Sequence, residues 1–304
     1  MKKLTASWHL PARLAPIFAP ICLALAACGG GGGGGDSAVT YQAATSASFS
    51  PTTAKDKASA SQDVALHWVY AMNNGQPITT TALGATVSIT VDSFEVTLNP
   101  ADLKRQAAFR GAVTGSISGM TATGTYSATV GEELALSNGK SVFKSQSVGV
   151  TLQLSGGGET ATAELTSNLK NFAPPYEWLL DRATLDQLPV GTIETVASSG
   201  TADLNVTITG ETPIVKSNLP VAINERWSVL EKLPSMVVRG KTYTNVVRLS
   251  RLTQLPDFNG NLVPVTTTYW VAKGVGMIKG QGVYSVLNSS TVVVELVDTN
   301  LGQL

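Results

Sequence analysis

The sequence predicts a mainly β protein, built as an antiparallel curved sheet, a half-barrel or a barrel with one or two short helices. Thr, Ser, Val and Gly are abundant, and no long stretch is rich in Ala, Leu, Glu and Lys. Several segments alternate apolar and polar residues with a period of two, as strands with one dry and one wet face do. A disordered Gly/Ser/Thr tether is expected to precede the sheet.

The first residues indicate an export signal. Lys2, Lys3 and Arg13 supply positive charge with no acid among them, and residues 14–27 are almost all apolar or small. A helix of about 14 residues reaches only roughly 21 Å, short of the roughly 30 Å hydrocarbon core of a bilayer. We therefore expect residues 1–27 to be a signal peptide rather than a permanent membrane span.

The end of this run, Leu25-Ala26-Ala27-Cys28, resembles the lipobox of bacterial lipoproteins. The resemblance implies that Cys28 receives a diacylglycerol and that its new amino group is acylated after cleavage. Several acyl chains on one residue anchor a domain to a membrane, whereas a single chain binds only marginally. Gly29 after the cysteine implies the outer membrane as the destination. An ordinary signal peptide with a chance cysteine is the alternative.

The composition excludes several kinds of chemistry. Without residues 1–27, which hold three of the 21 basic residues and none of the 21 acidic ones, the net charge is about −3, so no nucleic-acid partner is expected. Cys22 leaves with the signal and Cys28 serves as the anchor, which excludes disulfides and thiol catalysis in the folded part. Because His9 also leaves with the signal, His67 is the one histidine expected to remain. We expect no metal and no cofactor.

Residues 28–60 are expected to form the flexible tether. The glycine run Gly29–Gly35 is followed by Ser, Thr and Ala with almost no large apolar residue. Treated as a Gly/Ser coil, this segment has a root-mean-square reach of roughly 30 Å. The glycine run lacks the Lys-Ser/Thr pair of a phosphate-binding loop.

Residues 61–170 form the predicted N-terminal β region. A strand over 64–70 ends at the turn sequence Asn73-Asn74-Gly75. The alternation of 87–92 resumes over 94–98, which predicts one bulged strand or two strands. Three further alternating segments, at 122–130, 148–154 and 161–165, predict antiparallel hairpins.

Residues 171–200 are predicted to be a connector with one short helix. The apolar residues between Tyr176 and Leu185 have helical spacing, Pro174 and Pro175 precede them, and Pro189 follows. Residues 201–304 form the predicted C-terminal β meander, with strands near 202–209, 240–249, 266–279, 282–287 and 291–297. The two β regions form either one domain or two.

The C-terminal region also carries a resemblance. A strand starting Gly240-Lys241-Thr242-Tyr243, followed by the Tyr-Trp-x-Ala-Lys-Gly-Val-Gly-x-x-Lys segment at 269–279, resembles a signature of uncharacterised bacterial lipoproteins. Several of these are similar to the lipoprotein-carrier-like fold, a curved antiparallel sheet with helices closing one side. The resemblance implies binding of an apolar ligand or a partner protein and brings no catalytic residues with it. The predicted helix content is lower than in the classical carriers.

Few side chains suggest catalysis. We expect His67 to be a packing or surface residue, since no Gly-x-Ser-x-Gly elbow accompanies it. Glu132 and Glu133 are neighbours that would point to opposite faces of a strand and cannot flank one bond, and a solvated turn is expected there. The acidic segment 257–261 is expected to be a hairpin turn rather than a calcium loop.

The sequence thus predicts a membrane-anchored, non-enzymatic envelope lipoprotein that binds an apolar ligand or a partner protein on a curved β-sheet. The ligand-binding residues are not identified by the sequence. A structural or assembly module of the cell envelope that uses exposed strand edges is the first alternative. A carbohydrate-active enzyme with carboxylates brought together from distant strands is the second.

Overall fold

The computed structural model describes residues 48–52, 65–82, 85–117, 120–256, 262–284 and 290–301. Cys28, most of the expected tether and the acidic segment 257–261 lie outside these residues. Almost everything described is antiparallel strand, and twelve of the strands close into a β-barrel. The predicted fold class is therefore confirmed.

Fifteen strands follow one another along the described chain. They are β1 (Leu66–Met72), β2 (Ile78–Ala82), β3 (Ala85–Ile89), β4 (Ser93–Asn99), β5 (Lys104–Ile117), β6 (Met120–Ser137), β7 (Lys140–Gly156), β8 (Glu159–Ala173), β9 (Tyr176–Glu177), β10 (Ile193–Ile208), β11 (Ile214–Val238), β12 (Lys241–Pro256), β13 (Leu262–Ala272), β14 (Gly276–Tyr284) and β15 (Ser290–Thr299).

The barrel wall runs in the order β5, β4, β1, β15, β14, β13, β12, β11, β10, β8, β7, β6, and β6 pairs back with β5 to close it. Every pairing is antiparallel. The ring joins strands from both predicted β regions, because β1 pairs with β15 and β8 pairs with β10. The β2–β3 hairpin is not one of the twelve strands of the ring. Its strand β3 pairs with residues 113–117 of β5, the part of β5 that β4 does not cover.

The two ends of the barrel differ. We call the end at the β7–β8 and β10–β11 turns the mouth, and the end at the β6–β7, β11–β12 and β13–β14 turns the base. The connections after β5, β12 and β14 also leave the wall at the mouth, and their central residues lie outside the described part of the chain.

Rows of directly paired residues identify the inner face of the wall. Opposite residues of an antiparallel pair point to the same side, so a continuous row stays on one face. One such row is buried along most of its length and ends on β11 at the mouth. Its members are Phe94, Phe109, Ala128, Val150, Leu165, Val206 and Ile214. The alternate residues of these strands form the outer face.

The base is filled by the segment between β8 and β10, which we call the insert (residues 174–188). The structure replaces its predicted helix with the short strand β9 and two 3-10 turns, Leu179–Asp181 and Leu185–Gln187. Residues 176–182 are all buried. A surface helix needs one polar face, whereas this segment is enclosed by the wall and has no exposed side, so the helical spacing was misleading.

Residues 48–52, which we call the strap, also pack at the base, although they fall within the segment expected to be tether. Phe49 and Ser50 are completely buried. The Phe49 amide donates to the Ala183 carbonyl over 2.7 Å, and the Gly274 amide donates to the Phe49 carbonyl over 2.9 Å. These contacts show that residues 48–52 are docked on the barrel and are not part of a free tether.

The sequence pattern did not predict β2, β5 or β11. The inner face of β5 consists of Arg105, Ala107, Phe109, Gly111 and Val113, so a charged residue and small residues hide its alternation. β11 carries two prolines and a buried Glu225. Segment 87–98 forms two strands, β3 and β4, which both pair with β5.

Candidate functional site

The interior is packed at the base and thinner towards the mouth. A barrel of about eight strands is just wide enough for its own side chains to fill, so twelve strands leave additional space. At the base, the insert supplies Tyr176, Trp178 and Leu180, which are buried inside the ring. No comparable insertion occupies the mouth half among the described residues. We call the space bounded by the inner face of that half the upper lumen.

Apolar side chains on the inner face of the upper lumen are partly exposed. Ile214 is 46% exposed and Leu219 is 36% exposed, whereas Leu165, on the same row as Ile214, is 6% exposed. Other inner-face residues of this half are half-buried, namely Leu152, Leu154, Leu204, Ile208 and Val263, and Lys216, which pairs with Leu204, is exposed on the same face. Water therefore reaches part of the inner wall at this end, where most of the side chains are apolar.

The interior also contains polar atoms without a protein partner. The Tyr126 hydroxyl and the Thr267 hydroxyl are buried and have no hydrogen bond. Tyr126 is paired with Leu152, so it belongs to the inner wall near the upper lumen. Burial, together with the charge of Asp92, raises the pKa of Tyr126, and the phenol stays protonated as a donor. Apolar sites with a few convergent polar groups are typical of small-molecule binding.

A first ionic cluster lies at the base, where β5 and β6 meet the insert. The Arg105 Nε atom donates to Glu132 Oε2 over 2.5 Å, and its Nη1 donates to Asp181 Oδ2 over 2.7 Å. Gln146 donates to Glu132 over 3.0 Å, and Thr52 of the strap donates to Asp181 over 3.1 Å. This cluster ties the wall, the insert and the strap together.

A second cluster lies between the insert and strands β11 and β12. Glu225 forms an ion pair with Arg251 and accepts hydrogen bonds from the Tyr176 hydroxyl at 2.9 Å and from Trp227 Nε1 at 3.0 Å. The Arg251 guanidinium lies over the Trp178 ring at 5.0 Å. Each partner is buried, so this cluster fixes the insert within the barrel.

The pKa shifts of Arg105 and Tyr176 arise from burial and from the charged partners within the two clusters. Burial acts to lower the pKa of Arg105, but Glu132 and Asp181 outweigh it and raise the pKa. Burial raises the pKa of Tyr176, and the charge of Glu225 adds to the effect. Both groups keep the protonation state they have in water near neutral pH, so neither is tuned for proton transfer.

A small cavity adjoins Arg105 at the base. It is lined by residues that include Thr52, Trp68, Tyr70 and Asp181, and the space open to the centre of a water molecule is about 40 Å³. Arg105 Nη2 is buried and has no protein acceptor. Because a water needs roughly 10–15 Å³ measured this way, the cavity has room for a few waters but not for a larger ligand.

The acidic pair of the sequence lies in strand β6 and not in the expected solvated turn. Glu132 points inward and is 5% exposed, whereas Glu133 points outward to Lys144, with 3.4 Å between their charged atoms. They face opposite sides of the wall, as adjacent strand residues must. Arg105 was not identified from the sequence as a functional residue. Arg105 lies directly opposite Glu132 on the neighbouring strand β5, and pairing these two strands in the sequence would have predicted a buried ion pair.

His67 lies on the outer face of β1, half-buried, with Nε2 4.0 Å from Glu95. Its backbone is tied to Thr299 and Asn300 at the end of β15. No hydroxyl nucleophile is bonded to the ring in the described structure. The ring is half-buried on the outer face of the wall, and its Nε2 atom is buried.

Within the described residues, no three His, Cys, Asp or Glu side chains are grouped so as to hold a metal ion. The helices among those residues are all too short or too polar to cross a membrane. Comparison of the chain with protein families, curated proteins and solved structures gave no match.

Proposed function

We propose that this chain is a non-enzymatic envelope protein, anchored to the outer membrane through a lipid on Cys28, whose barrel binds an apolar ligand in the upper lumen. One observation carries the ligand proposal: apolar side chains on the inner face are partly exposed near the mouth and buried near the base. Exposure of such side chains to water costs about 25 cal/mol per Å², which an apolar ligand would recover. The lipobox resemblance supports the anchor.

Binding can be tested on a purified chain of residues 48–304 with a fluorescent fatty-acid analogue as the probe. Ile208 faces inward near the mouth, so Ile208→Glu places a charge in the upper lumen. We expect this variant to bind the probe at least about tenfold more weakly, since desolvating a charge costs well over 1.4 kcal/mol.

The matched control is Asn205→Glu, which places the same charge on the exposed outer face of the same strand. It should bind the probe like the original chain. Circular dichroism and urea unfolding of both variants separate a blocked lumen from a failure to fold. The proposal is lost if the original chain binds no probe, or if both variants bind it equally.

A second candidate, an assembly module, is favoured by the edge of β11. Its ladder with β12 covers Arg226–Val238, so no described strand pairs with Ile214–Glu225 on that side, and the outward Val215 is 64% exposed. Such an edge can accept a strand of another protein. Lys216 and Pro220 lie on the same edge, and both residue types discourage strand addition.

Crosslinking decides between the two candidates. A photoreactive residue at Val215 should capture a reproducible envelope partner in cells if the edge is an assembly surface. Capture that is no stronger than from a photoreactive residue at Asn168, an exposed site on β8, would count against it.

A further inference from the structure

The chain leading from the expected anchor reaches the barrel at its base. The strap begins at Ser48, and Phe49 is held between Ala183 of the insert and Gly274 of the β13–β14 turn. Thr52 then donates to Asp181 inside the base. Whatever residue 28 is attached to is therefore connected to the base and not to the mouth.

The length of the connecting chain favours a base that stays close to the membrane. The composition of residues 29–47 predicts a Gly/Ser coil with a root-mean-square reach of roughly 24 Å. A wall strand such as β5, of 14 residues, rises roughly 33 Å along the barrel axis when tilted by about 40°. The mouth can approach the anchoring membrane only by stretching this coil around the barrel.

An exposed apolar patch lies in the base half of the wall, where β10 begins beside β11. Val190 is 58% exposed, Ile193 is 52% exposed and Leu230 is 40% exposed. The Gly191 amide donates to the Val229 carbonyl over 2.9 Å and the Val229 amide donates to the Thr192 carbonyl over 3.0 Å, so Val190, Ile193 and Leu230 lie on adjoining stretches of backbone. We call Val190, Ile193 and Leu230 the base patch.

The base patch is connected to the strap and bordered by a cation. Lys232, exposed beside Leu230, donates to the Asp186 carbonyl over 2.7 Å. The Asp186 carboxylate contacts Lys273 at 3.3 Å, and Lys273 precedes Gly274, which binds Phe49. An apolar patch edged by lysine matches the chemistry of a bilayer surface, where acyl chains lie beneath anionic headgroup oxygens.

We propose that the base patch rests on the bilayer to which the chain is anchored, so that the mouth opens away from that membrane. The inference rests on the anchored state of the proposed function and is independent of ligand binding. It assigns a lipid surface to Val190, Ile193 and Leu230, and it implies that an apolar ligand enters from the side facing away from the anchoring membrane.

The test uses the fact that residues 28–304 contain one thiol, Cys28. That chain is coupled through Cys28 to a maleimide lipid in phosphatidylcholine vesicles that also carry a photoactivatable lipid, and labelled peptides are identified by mass spectrometry. Coupling by chemistry makes the result independent of whether a cell lipidates Cys28. We expect residues 188–193 and 230–232 to be labelled about tenfold more than 209–216 at the mouth, a bias equivalent to burying roughly one apolar side chain.

Two exposed triple variants complete the test. Val190→Ser/Ile193→Ser/Leu230→Ser should abolish the preferential labelling of the base, whereas Val215→Ser/Val283→Ser/Val297→Ser, which removes exposed valines elsewhere, should retain it. Even labelling of base and mouth in the original chain overturns the proposal. So does base labelling that survives the first triple variant, because the patch then has no part in the orientation. Loss of fatty-acid binding in the same preparation bears only on the proposed function.

Discussion

Arg105 neutralises two carboxylates inside the base of the barrel. Its side chain is 7% exposed, and those of Glu132 and Asp181 are 3% and 11% exposed. Replacing Arg105 with Ala leaves two buried acids with no cation. We expect the free energy of unfolding to fall by about 3–5 kcal/mol, the usual result of removing one partner of a buried ion pair. Urea unfolding followed by tryptophan fluorescence measures the loss.

Arg110 on the same strand provides the control. Its side chain is 72% exposed and lies 4.0 Å from Glu95, so Arg110→Ala should change the free energy of unfolding by less than about 1 kcal/mol. Equal losses in the two variants would show that the Arg105 cluster is no stronger than a surface pair.

Glu177, at the base of the barrel, is expected to make the stability of the fold depend on pH. Burial acts to raise its pKa, but hydrogen bonds from Arg182 and Lys140 outweigh burial and lower the pKa from the usual 4.5. A group whose pKa is lowered by folding stabilises the fold above its unfolded pKa and loses that contribution as the pH falls through the folded value. Stability should therefore fall below about pH 4.5.

In Glu177→Gln this part of the acid destabilisation should be absent, and the variant should be less stable than the original chain near neutral pH. Urea unfolding at a series of pH values measures both effects. Glu133→Gln, which removes an exposed partner of Lys144, is the control for the loss of a carboxylate from an ion pair and should change the free energy of unfolding near neutral pH by less than about 1 kcal/mol. If stability depends on pH in Glu177→Gln as it does in the original chain, Glu177 does not contribute to the loss of stability in acid.

At this scale the sequence predicted the faces of side chains better than their partners. Strand alternation correctly put Glu132 and Glu133 on opposite faces, although the segment itself was expected to be a turn. The partner of Glu132 lies on β5, which the pattern did not predict, because Arg105 interrupts the apolar face of that strand. An inward charge looks like a break in the pattern until its partner strand is known.

At the scale of elements, the strap is held by one buried aromatic and a few hydrogen bonds. Phe49→Ala removes a fully buried ring, which costs about 3–5 kcal/mol in a core but less where a short segment outside the barrel wall can detach. We therefore expect a local effect. Hydrogen exchange should accelerate at the Gly274 amide, which donates to Phe49, and stay unchanged in the central strands.

Ser48→Ala is the control for the strap, since Ser48 is only half-buried and Phe49 keeps its contacts. It should leave exchange at Gly274 unchanged. If Phe49→Ala accelerates exchange throughout the barrel, the strap is part of the global core. If it changes nothing, the docking of the strap is not what protects Gly274.

Elements with a regular apolar alternation were predictable. The hairpin of β7 and β8 and the strands β3, β4 and β10 agree with the sequence pattern. The conformation of the insert was not predictable. Its apolar residues have the spacing of a helix, but residues 176–182 are apolar or ion-paired because they are buried on all sides and not because they form one face of a helix. The upper lumen was predictable in part. Alternation gave the inner face of β10, but which end of the wall is left unfilled depends on where the insert lies.

At the scale of the whole molecule, the barrel is closed by strands from opposite ends of the described chain. β1 and β15 pair, and Asn300 after β15 binds both the His67 amide and the Ala65 carbonyl, each over 2.8 Å. Closure leaves neither β region with a complete sheet of its own, since each would expose two long edges if separated. The wall can therefore form only when both regions are present.

This closure predicts that residues 61–170 and 201–304 unfold together. A fluorine label at Thr129 on β6 and another at Gln281 on β14 report on the two regions from exposed positions. Their urea transitions should coincide, as expected for a single cooperative unit. Asn300→Ala removes two hydrogen bonds across the β1–β15 seam and should lower the urea midpoint at both labels equally. The corresponding decrease in the free energy of unfolding should be about 1–3 kcal/mol. Two separate transitions, or a shift confined to one label, would mean that the regions are domains that fold independently and only meet at the seam.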